Sequence, residues 1–208
     1  DKDPFSNKLT WTVGTSEGHI AVTTDQLVEG VWYHIVATND GSTSKIYVNG
    51  LLHNSVSSGE MIASNGSLKI GIHSSVIYVP GFTSTEEISR SWDGHIDEVT
   101  IWNDVLSDTE VSAIYNSGTV ANVLSNFGSY NSSSNLRGYW DFNNDTGITV
   151  TDISGYGSNG TINGAGGWTD YAPITVMQSS NDILDWTRNQ SSASVISTGL
   201  SLIDGETY

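Results

Sequence analysis

Lys45-Ile46-Tyr47-Val48-Asn49-Gly50-Leu51-Leu52-His53 sets an Asn-Gly pair between two apolar runs. Both residues tolerate positive φ, which the two-residue turns that match strand twist require, so the stretch reads as a β-hairpin. Just upstream, Trp32-Tyr33-His34-Ile35-Val36-Ala37-Thr38 is β-branched and aromatic, and it closes on the turn signal Asn39-Asp40-Gly41. Further out, Leu9 to Val22 partly alternates around Gly14 and Gly18 and reads as a strand pair. Leu68, Ile70 and Ile72 alternate with Lys69, Gly71 and His73, and Ile96 to Trp102 gives another strand. Strands are therefore expected at 31–38, 45–48, 67–73 and 95–102.

The pattern changes at Ser107-Asp108-Thr109-Glu110. Ser followed three residues later by Glu is a capping box, and Val111, Ile114 and Tyr115 follow at helical spacing. One short helix is expected over 107–116. Residues 119–135 are rich in Ser and Asn and read as a linker or a long loop. Leu136 to Phe142 then forms an aromatic strand, with Val150 and Ile162 marking later ones, and Pro173 marks a further boundary.

Composition narrows the function. There are 23 acidic residues against seven basic ones, a formal charge of −16. Nucleic-acid binding requires Lys and Arg to displace counterions from phosphate, so it is excluded as a reading, and attraction to an anionic membrane surface is disfavoured. The same charge favours solubility and the recruitment of divalent cations. With no Cys there is neither a disulfide framework nor a thiolate metal site. No apolar run approaches ~18 residues, so no membrane insertion is expected. The opening Asp1-Lys2-Asp3-Pro4 does not resemble a signal peptide, and a fragment of a larger protein is the favoured expectation.

Several motifs in order carry a resemblance. They are Val31-Trp32-Tyr33-His34-Ile35-Val36, then Lys45 to Gly50, then Asp93-Gly94-His95-Ile96-Asp97-Glu98-Val99-Thr100-Ile101-Trp102-Asn103, then Leu106-Ser107 and Glu110-Val111. This resembles the laminin-G-like, pentraxin-related jelly-roll family, with its WHHVA, LYVDG and GxIDEVRIYNxxLS patterns. The resemblance implies an all-β, concanavalin A-like β-sandwich of two curved antiparallel sheets with one short helix, and non-catalytic recognition, often of glycans. Leu136 to Asn143, followed by Asp152-Ile153-Ser154-Gly155 and Asn159-Gly160-Thr161, resembles the segment that normally opens such a domain. Thr198 to Tyr208 resembles part of a fibronectin type III-like module.

The expected organisation follows. Residues 1–118 form a laminin-G-like sandwich lacking its N-terminal part, 119–135 a linker or loop, 136–172 an opening-type segment packed on the same sandwich, and 173–208 the beginning of a fibronectin type III-like module.

Asp97 is the foremost site candidate. By period-two alternation it shares the apolar face of its strand with Val99 and Ile101, and a buried carboxylate is costly unless paired, hydrogen-bonded or metal-bound. The family resemblance implies a structural calcium at such an Asp; the alternative is an Asp capping backbone N–H groups near a turn. Asp152 lies in the Gly-rich stretch Thr151 to Gly157, whose carbonyls suit a hard cation, with an Asx-turn as the equal alternative. Asn143 is a further candidate ligand, although Asn143-Asn144-Asp145-Thr146-Gly147 reads well as a plain turn. The five His are scattered singly without a zinc pattern, and His34 reads as a packed strand residue.

No paired-carboxylate arrangement of glycosidase type, nucleophile elbow or phosphate loop occurs, so an enzyme is not expected. Trp11, Trp32, Trp102 and Trp140 read as core. Trp92 and Tyr78, near expected loops, are the candidates for stacking on a sugar face. The function expected is an extracellular or cell-surface recognition module of a larger adhesin-like protein, binding a glycan or a surface protein beside neighbouring domains of the same polypeptide. A structural spacer and an accessory domain of a secreted glycoside hydrolase are the alternatives.

Overall fold

The hairpin at Asn49-Gly50 forms the middle layer of the molecule. A computed structural model describes residues 2–3, 8–15, 18–62, 67–78, 85–92, 94–144, 146–163 and 166–168. The expected fibronectin-like segment, 173–208, lies outside the described residues. In chain order the strands are β1 (Lys2–Asp3), β2 (Lys8–Thr15), β3 (Gly18–Thr23), β4 (Ile35–Asn39), β5 (Thr43–Val48) and β6 (Leu51–Ser57). There follow β7 (Ile72–Tyr78), β8 (Thr85–Ser91), β9 (Val99–Trp102), the helix α1 (Asp108–Tyr115), β10 (Leu136–Trp140), β11 (Thr149–Val150) and β12 (Gly160–Thr161). All strand pairings among them are antiparallel.

Asn49 (φ 50°) and Gly50 (φ 77°) make the tight turn between β5 and β6. Alternation along β4 and β5 then sends successive side chains to opposite faces. Ile35 and Ile46 join Leu9, Val22 and Leu27 in one core, with Trp11, Val48 and Trp92 packed around it. Val36 and Tyr47 join Leu106, Val111, Ile114, Val123, Tyr130, Leu136 and Tyr139 in another. The β4–β5–β6 sheet thus has the β2–β3 pair on one side and α1 with β9–β10 on the other.

The helix follows its local signals. Ser107 Oγ accepts the Glu110 N–H, Glu110 Oε2 accepts the Ser107 N–H at 2.9 Å, and Asn116 closes the helix with φ 45°. Glu110 Oε1 also accepts Ser132 Oγ–H at 2.6 Å and the Asn131 N–H at 3.2 Å, which ties residues 131–132 to the start of the helix. The 119–135 segment accordingly packs as a loop. Tyr130 is fully buried, donates to the Val123 carbonyl at 3.0 Å and accepts the Trp102 indole N–H at 2.9 Å. β10 lies beside β9, with Trp140 opposite Val99 and Leu136 opposite Trp102.

Three strands begin later than expected, and β5 begins two residues earlier, at Thr43. The first strand of the middle sheet begins at Ile35, since Trp32 to His34 stay outside the ladder. Gly71, at φ 78°, keeps the 67–71 stretch irregular, and the strand runs from Ile72 to Tyr78. The third boundary moves from residue 95 to Val99 and bears directly on the site.

Candidate functional site around loop 152–159

Glu98 has φ 57°, in the left-handed region that non-glycine residues enter at a cost of about 1–3 kcal/mol unless their surroundings hold them there. The alternation expected from Ile96 through Trp102 is broken at that point. Thr100 is buried, whereas Ile101 is 38 % exposed, so Ile101 does not lie on the inner face assigned to it from sequence. Asp97 is nonetheless buried at 1 % exposure, by the turn and not by strand register. Its Oδ1 accepts the Glu98 N–H at 3.1 Å.

The Glu98 carboxylate, also buried, accepts the Tyr139 phenol. Burial first, and then the negative charges of Glu98, Asp141 and Asp97, push the Tyr139 phenol far above its ordinary range. Tyr139 therefore stays a neutral donor. Its backbone serves the other side of the site, where its N–H donates to Asp152 Oδ1 at 3.0 Å and its carbonyl accepts the Ile153 N–H at 2.8 Å.

Asp152 organises the loop that follows it. Oδ1 also accepts the Ser154 N–H at 2.9 Å, and Oδ2 accepts the Ser158 N–H at 2.8 Å. The Asp152 N–H donates to Asn159 Oδ1 at 2.9 Å, and the Trp140 indole donates to the Ser158 carbonyl at 2.9 Å. Burial alone raises the Asp152 carboxyl, but donation from Ser154, Tyr139 and Ser158 outweighs it and holds the group below its ordinary value. The Asx-turn alternative thus describes the bonding of this side chain.

Gly155 (φ 92°) and Gly157 (φ 74°) turn the backbone on either side of Tyr156, which stands 58 % exposed at the loop tip. Its ring lies 5.0 Å from the Arg137 guanidinium, and its hydroxyl accepts from Arg137 Nη1 at 2.7 Å. Arg137 also donates to the Ser134 and Leu136 carbonyls, so both partners of the stack are anchored. Tyr156 is the only aromatic side chain among the described residues that is largely exposed. A ring fixed in this way offers apolar contact area at little further entropic cost.

The expected site residues do not gather at one point. Asp97 and Asp152 flank Tyr139 from its phenol and backbone sides respectively. Asn143 sits in its turn, donating from its amide and its backbone N–H to Asp141 at 3.0 and 3.3 Å. Among the described residues no three His, Asp or Glu side chains are close enough together to hold a metal ion. Trp92 packs half-buried against the Leu9–Ile46 core, which occupies part of its ring. The Tyr78 side chain lies outside the described residues. Tyr156 lies within the Gly-rich stretch that the sequence singles out only for its carbonyls. The signal that could have found it is an aromatic residue between two glycines, which a tight loop must display outward.

Among the described residues no helix is long and apolar enough to cross a membrane. A protein-family model described as the concanavalin A-like lectin/glucanases superfamily matches residues 4–112. No curated protein and no solved structure matches the chain. The matched residues cover more than half of the sequence and include the middle sheet, the β9 strand and most of α1. The antiparallel, strand-rich architecture of the described residues, with one short α-helix among them, is that of the same group, and the chain belongs to the concanavalin A-like lectin/glucanase superfamily.

Proposed function

We propose that the chain is a non-catalytic recognition module of a larger extracellular or cell-surface protein, and that it binds a glycan across the exposed face of Tyr156. The superfamily supports carbohydrate or protein binding in general. The observation that carries the finer reading is the Tyr156–Arg137 stack, a rigid exposed ring with a fixed cation behind it. A sugar ring presents C–H groups to such a face and hydroxyls to the polar groups around it. The non-catalytic reading draws support from Asp97 and Glu98, which are buried and engaged with neighbouring donors. Glycosidase carboxylates must flank a scissile bond instead.

A structural calcium belongs to the same proposal. Asp97 suits one chemically as a single buried carboxylate, whose remaining oxygen ligands would have to be backbone carbonyls and water, since no three acidic side chains converge among the described residues. Asp152, with both oxygens engaged by N–H donors, suits one less well. Bound beside Asp97, calcium would neutralise local charge and hold the turn before β9.

The test is a glycan array followed by titration calorimetry on the wild type, Tyr156→Ala and Tyr156→Phe. Wild-type binding is expected, with Phe retaining most of it and Ala losing on the order of 10-fold, equivalent to about 1.4 kcal/mol. A wild-type chain that binds no glycan would leave a spacer or a protein-binding module. Glycan binding indifferent to Tyr156→Ala would move the site elsewhere.

A further inference from the structure

His34 lies at the junction of the middle sheet, the helix and the 118–123 segment. Its backbone is pinned by Asn49, whose side-chain Oδ1 accepts the His34 N–H at 2.9 Å and whose own N–H donates to the His34 carbonyl at 2.8 Å. The imidazole is thereby held inside, at 3 % residue exposure, with its ring centroid 5.7 Å from that of Tyr115. Neither ring nitrogen has a hydrogen-bond partner among the described residues. A neutral imidazole carries one N–H donor and one lone-pair acceptor, and leaving both unmet in the interior is costly.

The ring borders a cavity of about 20 Å³, which is also lined by Glu98, Tyr139, Gly118 and Ala121. One water needs about 10–15 Å³ of such space and two to four polar partners. The space suffices, and His34, Glu98, Thr119 and Tyr139 among the lining residues carry the polar groups such a water requires. The lining is mixed: Ile114, Val120, Ala121 and Val123 are apolar, while His34, Glu98 and Tyr139 supply polar groups that a dry cavity would not carry. An anion is disfavoured by Glu98, and a divalent cation would find a single carboxylate among the lining residues, too few of the oxygen ligands it requires.

We propose that this cavity is a built site for a single internal water, which joins His34 to the buried Glu98–Tyr139 pair. The water answers one nitrogen of the neutral ring, accepting its N–H or donating to its lone pair, and carries the bond on to the Glu98–Tyr139 pair. It links the residue just before β4 to the turn that holds Glu98 in its left-handed conformation, beside the loop that follows α1.

The experiment uses the whole chain labelled with ¹⁵N-histidine. Long-lived cross-relaxation is expected between water and the His34 ring protons, together with ring ¹⁵N shifts of a neutral, hydrogen-bonded tautomer. His34→Gln assigns the signals, and the wild-type spectra decide the matter even if that variant fails to fold. Ala121→Val, which narrows the cavity, should remove the water cross-peak while leaving the other histidine signals in place. Absence of the wild-type cross-peak would overturn the proposal. So would ring shifts that reported a direct bond between His34 and Glu98, or a cross-peak unchanged by Ala121→Val.

Discussion

Tyr115 closes over Gly50, so that a Cβ placed on Gly50 would stand 2.8 Å from Cδ1 and 2.9 Å from Cβ of Tyr115. The last residue of the helix therefore rests on the tightest turn of the middle sheet. The contact works only because the turn residue has no side chain and takes φ 77° at that position.

Gly50→Ala is expected to destabilise the fold by about 2–4 kcal/mol, combining left-handed strain with overpacking. Gly41→Ala supplies the control, since Gly41 has φ 86° but nothing within 4 Å of the place a Cβ would take. It should cost only about 1–2 kcal/mol. Urea denaturation of both variants measures the difference, and equal losses would mean that the Tyr115 contact contributes nothing.

Asp152→Asn should loosen the 152–159 loop and lower stability by about 1–3 kcal/mol, because an amide cannot serve three N–H donors as a carboxylate does. The folded carboxyl lies below its ordinary value of 3.8, so its contribution is present above that pH and is lost as pH falls through the folded value. The variant should therefore show a flatter loss of stability in acid. It should also weaken any binding through Tyr156, which the same loop displays. Acid titration followed by tryptophan fluorescence reads the first effect.

His34 titrates in the opposite chemical sense with the same direction of outcome. Burial lowers the imidazole from 6.5 to about 4, so between these values the unfolded chain binds a proton that the folded chain does not. Stability should rise with pH across that window and is lost as pH falls from 6.5 toward 4. The interval corresponds to roughly 3 kcal/mol. A His34→Gln variant that still shows the full slope across that window would assign it to another group.

Chelation tests the calcium proposal without reference to any ligand. Melting temperature should fall when divalent cations are removed and should recover with added calcium in a concentration-dependent way. Asp97→Asn should blunt that response more than Asp108→Asn, because Asp108 is an exposed partner of Tyr47 and Lys45 at the start of the helix. A melting curve indifferent to chelator would rule the site out.

Glu110 joins the helix cap to the loop beyond it, and Glu110→Ala should cost about 1–3 kcal/mol. The change removes the cap bond to Ser107 and strands Ser132 in a buried position. Glu110→Gln, which retains one acceptor oxygen, should cost less. Denaturation midpoints rank the two variants, and equal losses would place the effect in charge and not in hydrogen bonding.

Elements set by near neighbours in the chain were legible in the residues themselves. Asn49-Gly50 needed only the positive-φ tolerance of two adjacent residues, and Ser107 with Glu110 needed only one helical turn, so each formed where its local preference placed it. What depended on distant partners was not legible. The left-handed Glu98, which moved the start of β9 and turned Ile101 outward, sits beside Tyr139, 41 residues along the chain. The donors that saturate Asp152 include that same Tyr139 backbone, and the exposure of Tyr156 depends on Arg137, 19 residues before it. Alternation along a strand describes a regular backbone, and it says nothing of where packing against another element will interrupt that regularity. Sequence alone therefore determined the strand-rich class, the hairpin and the capped helix, because short-range backbone energetics decides those. The inner face of β9, the bonding of its carboxylates and the aromatic ring left facing solvent were decided only when residues far apart in the chain competed for the same buried space.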